Sequence, residues 1–133
     1  MTGVLRTFLA LVAGFVTATL GVLVFTAVSV IAFFGGDMTA EPTAPYLAFN
    51  LAYTLGFAVV GGWVAAHVAR ERLLLHGFLL AAVMISLSIP SAVEGGPQPG
   101  QPTWYPWALV LIVGIGAPTG ALIRQWSRPG RTA

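Results

Sequence analysis

Residues 7–36 read TFLALVAGFVTATLGVLVFTAVSVIAFFGG, thirty positions between Arg6 and Asp37 without a charge. A helix that crosses a bilayer needs about 20 apolar residues, so this stretch holds one span and is too short for two. Working outward, uncharged gaps of twenty-eight residues (Glu41 to Arg70), twenty-one (Arg72 to Glu94) and twenty-nine (Glu94 to Arg124) each hold one more. The expected fold class is all-α: an integral membrane bundle of four transmembrane helices with up-down topology. Its spans are predicted at about 5–34, 45–69, 73–92 and 103–125, within a single transmembrane domain covering 1–133. Composition agrees, with 57% apolar and 8% charged residues, whereas a soluble domain carries about 45–50% and about 25%. Val16-Thr17-Ala18 resembles a signal cleavage site, but apolar sequence runs on for sixteen residues. A signal peptide's apolar region is about 7–15 residues, so the segment is expected to be retained.

Boundary residues sit between the spans. Gly35-Gly36 ends the first; Pro42 and Pro45 open the second, with Thr43 as its expected cap; Thr103 is expected to cap the fourth, with Pro106 in its first turn. Residues 94–102, rich in Pro and Gly, are predicted to run extended along the membrane surface, and Arg70-Glu71-Arg72 to form a tight hairpin. Arg6, Arg70, Arg72, Arg124, Arg128 and Arg131 fall on one side of this arrangement, while the other carries only Asp37, Glu41 and Glu94. The positive-inside rule then places both termini and the hairpin in the cytoplasm, in a multi-pass protein of the bacterial inner (plasma) membrane. The first span is overlong: thirty helical residues reach about 45 Å against a core of about 30 Å, so it must tilt or protrude. Protrusion would let Phe33 and Phe34 contact something above the lipid tails.

Small residues recur at helical spacing. Ala10, Gly14 and Ala18 line one face of the first span, Ala58, Gly62 and Ala66 beside Gly61 line the second, and Gly116 and Gly120 form a GxxxG in the fourth. In lipid, close backbone approach over small side chains supplies much of the packing energy. Such faces serve either intramolecular packing or a partner. Pro118 is expected to bend the fourth helix by removing the bond to the Gly114 carbonyl, with Thr119 able to re-satisfy freed groups.

Asn50, Tyr53 and Thr54 share a face of the second span, and Ser86 and Ser88 lie at comparable depth on the third. Together they would line a polar site or hydrogen-bond between helices. His67 and His76 are equidistant from the hairpin's midpoint, hence at one depth, where two imidazoles can share a proton or a metal or simply bond headgroups and helix-end carbonyls. No HExxH, paired intramembrane carboxylates, phosphate loop or Ser-His-Asp set is present. No enzyme activity, cofactor, metal or nucleic-acid partner is therefore expected.

Residues 51–69, LAYTLGFAVVGGWVAAHVA, followed by a basic hairpin and Leu74-Leu75-His76-Gly77, resemble small four-span bacterial membrane proteins of uncharacterised function. The likeness covers the middle third of the chain and implies no activity. Small multidrug transporters carry a membrane-embedded Glu in their first helix, which this chain lacks; the Asn- and Phe-bearing motifs of fluoride channels are also missing. The function expected is an accessory or structural subunit packing against other integral membrane proteins or a second copy in the lipid bilayer; the alternative is a small oligomeric transporter or channel for a polar solute or ion.

Overall fold

The computed structural model describes residues 2–96 and 99–130; expectations that fall on Pro97, Gln98 and Arg131 lie outside them. Four helices account for most of the chain: α1 (Gly3–Phe34), α2 (Ala44–Ala69), α3 (Leu73–Val93) and α4 (Tyr105–Trp126). Each is long and apolar enough to cross a membrane, the pattern of a multi-pass membrane protein.

Local chemistry sets the ends. The Thr2 hydroxyl oxygen accepts from the Leu5 N–H at 3.3 Å and caps α1. Gly35, at φ 61°, turns left-handed and sends its N–H to the Ile31 carbonyl, while the Gly36 N–H reaches Val30. Thr43 occupies the cap position of α2, with Pro45 in the first turn, but its hydroxyl makes no capping bond. At α4 the expectation needs correcting. The Tyr105 N–H closes a turn onto the Pro102 carbonyl at 3.1 Å, so Thr103 lies inside that turn and Trp104 takes the cap position. Pro90 stands inside α3 as Pro118 does inside α4, and both helices run through their proline. Thr119 donates to Ile115 rather than to the Gly114 carbonyl that Pro118 frees. The α1–α2 loop is pinned by the Asp37 carboxylate, which accepts from the N–H and hydroxyl of Thr39; those two bonds hold its pKa below the ordinary value.

α2 is the central element, with α1 packed on one side and α4 on the other, and α3 lies mainly against α4. α1 touches α3 only slightly, and no contact joins α1 to α4 among the described residues. Val30, Tyr46, Leu47 and Tyr105 cluster at the end that carries the α1–α2 and α3–α4 loops, while Ala66, Leu73 and Ala121 cluster at the hairpin end.

The small-residue faces are consumed by this packing. A Cβ on Gly14 would lie 2.6 Å from the Gly61 carbonyl oxygen, one on Gly61 2.7 Å from that of Gly14, and one on Gly116 2.6 Å from the Ala58 methyl. At Gly62 and Gly120 it would collide with the carbonyls of Ala117 and Val59. Ala10, Ala18 and Ala66 are fully buried. Large apolar side chains face outward instead: Phe8, Ile31, Leu87, Leu111 and Ile115 are each about 60% exposed or more. Small inside and large outside is the distribution that suits lipid as the surrounding solvent.

Candidate functional site

Because α1 meets α3 so little, a cleft of about 390 Å³ opens between them toward the loop end. Its floor is Phe15 and Ala18; its walls are Val22 and Leu23 of α1 and Met84 and Leu87 of α3; its back is formed by Asn50, Thr54 and Tyr105. Below the floor Ala65, Leu80, Ala81 and Ala117 pack with Leu11, Phe15 and Met84, so the cleft ends within the protein.

Asn50 organises the polar wall. Its amide donates to the Tyr53 hydroxyl, and its carbonyl oxygen accepts from Tyr105 and, at 3.5 Å, from Thr54. Tyr53 in turn meets Thr26 of α1 at 2.8 Å. One amide thus ties α2 to α1 and α4, and all these groups are satisfied within the protein. Two others on the cleft are not. The Gln101 carbonyl oxygen is buried without a partner, and the Thr19 side chain has no hydrogen bond among the described residues. A buried orphan acceptor is costly unless a donor reaches it.

Gln101 reaches the cleft because residues 94–102 do not run extended where they are described. Gly95, Gly96 and Gly100 have φ of 87°, 91° and 76°, so the chain turns, setting Gly100 against the Glu41 side chain and Gln101 beside Gly96.

The other nominated residues separate. Ser88 lines the cleft but donates to the Met84 carbonyl, and Ser86 is exposed and donates to Ala82. His67 and His76 do not come together. His67 is exposed and stacks on Trp63 (ring centroids 5.1 Å apart), whose ring also carries the Arg124 guanidinium at 5.7 Å. His76 is buried against Thr7 of α1 and the Arg72 carbonyl. No group of three metal-ligating side chains occurs among the described residues. Phe33 and Phe34 pack on Tyr46, and Phe33 also meets Phe49, so they serve the α1–α2 contact.

Sequence reasoning found the Asn50 face and missed Thr19, Thr26, Gln101 and the part played by Tyr105. Thr19 and Thr26 were legible: seven residues apart, they fall on one face of a helix.

The chain matches no family model, no curated protein and no solved structure.

Proposed function

We propose that the chain is a non-catalytic accessory subunit of the bacterial inner membrane that holds an amphiphile in the α1–α3 cleft. The four helices form an up-down transmembrane bundle, termini and hairpin cytoplasmic, with the cleft in the outer half. The support for orientation is the split of arginines between the two ends. The sequence-based expectation of a subunit packing against other membrane proteins rested in part on small-residue faces, and those faces are occupied within the chain.

The cleft carries this reading. From Phe15 to Thr26 it extends about 17 Å along α1, so its volume averages about 23 Å² in cross-section, the girth of one hydrocarbon chain. A helix about 10 Å across would need over three times that area. Apolar walls with a few convergent polar groups suit a small lipophilic ligand. A chain lies along Val22, Leu23 and Leu87, and a head bearing O–H or N–H, a long-chain alcohol or amide, donates to Gln101. Conduction of a polar solute would need a path past Ala65, Leu80 and Ala117, where the helices pack closely.

The test uses a long-chain alcohol bearing a photoactivatable diazirine, applied to the protein in nanodiscs. Labelling is expected to concentrate on Val22 and Met84, half-buried in the cleft, over the lipid-facing Leu111 and Ile115, and to fall at least fivefold in Thr19→Trp, which fills the cleft. Even labelling of all outward residues, or labelling unchanged by Thr19→Trp in a folded variant, overturns the reading.

A further inference from the structure

A second cavity, of about 640 Å³, lies at the opposite end, between the start of α1 and the α2–α3 hairpin. Arg6, Glu71 and Arg72 supply its charge, and Val4, Phe8 and Leu11 an apolar wall. Arg6 and Arg72 are far apart in sequence, and His76 brings their backbones together. Its Nδ1 lies 3.0 Å from the Arg72 carbonyl, which can only accept, so the ring proton is on Nδ1. Nε2 then accepts from the Thr7 hydroxyl at 3.1 Å, one residue from Arg6. The imidazole is a buried strap between α1 and the head of α3, with both nitrogens in use.

What the strap assembles is uncompensated. Neither guanidinium has an ion-pair or hydrogen-bond partner among the described residues, and Glu71, on the same cavity, pairs with neither. Two arginines and one carboxylate leave a net positive cavity, and guanidinium forks match phosphate oxygens. The wall of Val4, Phe8 and Leu11 continues from the charged rim toward the middle of α1, a helix long and apolar enough to span a membrane, with Val4 and Phe8 exposed and Leu11 half-buried. A free anion has no use for such a wall; a headgroup with chains below it does.

We infer that this cavity binds the phosphodiester headgroup of an anionic phospholipid, with Arg6 and Arg72 on the phosphate and the chains along Val4, Phe8 and Leu11. Glu71 accepts from the headgroup's hydroxyls. The inference rests on insertion in a bilayer and is independent of the amphiphile proposed for the α1–α3 cleft.

Native mass spectrometry of the detergent-solubilised chain tests it, with dioleoyl phosphatidylglycerol, dioleoyl phosphatidylcholine and inorganic phosphate as separate probes. Phosphatidylglycerol is expected to bind at least tenfold more tightly than phosphatidylcholine, and millimolar phosphate to leave it bound. Arg6→Gln with Arg72→Gln is expected to remove that preference, while Arg128→Gln, outside the cavity, retains it. His76→Ala should weaken the preference with both arginines present, since the strap is lost; circular dichroism confirms that each variant keeps its helices. Displacement by inorganic phosphate would overturn the lipid assignment in favour of a free-anion site. An unchanged preference in the folded double variant would overturn the site itself.

Discussion

Gly62 and Gly56 stand on the same helix and face opposite demands. A methyl group at Gly62 would enter the Ala117 carbonyl, which is backbone and cannot rotate away, whereas at Gly56 nothing lies within 4 Å. Overpacking costs about 1–3 kcal/mol, so Gly62→Ala should lose about that much stability. Gly56→Ala should lose none, since alanine is the better helix former by about 1 kcal/mol in water. Thermal unfolding in detergent, followed by circular dichroism, reads both, and equal midpoints would show that α2 and α4 do not approach closely there. At this scale the sequence displayed which residues are small or polar, but contact partners only where they lie on one helix. Asn50, Tyr53 and Thr54 announce a shared face through their spacing. Tyr105, fifty-five residues from the amide it bonds, carries no such signal. His67 and His76 mislead for a related reason: equal distance from a hairpin fixes depth, while the direction each side chain faces depends on its helix's rotation.

The helices themselves were legible because charge is excluded from a span, and the spans read from the gaps and their boundary residues lie within two residues of the observed elements at either end. Ends read less well, since a cap depends on where the chain goes next; Thr103 had the right chemistry and a neighbouring turn took its place. The hairpin between α2 and α3 shows how tightly one connection is drawn. Arg70 and Arg72 both adopt positive φ, 66° and 46°, where a Cβ crowds the backbone at about 1–2 kcal/mol per residue. Arg70→Gly should therefore stabilise the chain by about 1 kcal/mol. Its carbonyl remains to accept from Arg128, and Arg72 keeps its charge at the lipid cavity. A lower unfolding midpoint for this variant would mean that the Arg70 side chain contributes more than its backbone strain costs.

For the molecule as a whole, the distribution of arginine predicts orientation. Reporter fusions in the hairpin and after Gly130 should be cytoplasmic, and fusions at Gly95 external; a cytoplasmic reporter at Gly95 would invert or break the four-span arrangement. The arrangement of helices, unlike their number, was not legible, because small residues on α1, α2 and α4 do not say which face meets which. α2 turned out to take α1 on one side and α4 on the other. That central position has a consequence for biosynthesis. The α1–α2 pair is complete as soon as Ala69 is made, yet the face bearing Gly62 waits for α4, about 57 residues later. At about 5–20 residues per second this is an interval of roughly 3–11 s. Through it α3, whose main support is α4, has little to lean on. A nascent chain stalled before Tyr105 would hold a finished helical pair, a loosely attached third helix and a bare glycine face, so the final helix is the one that closes the assembly.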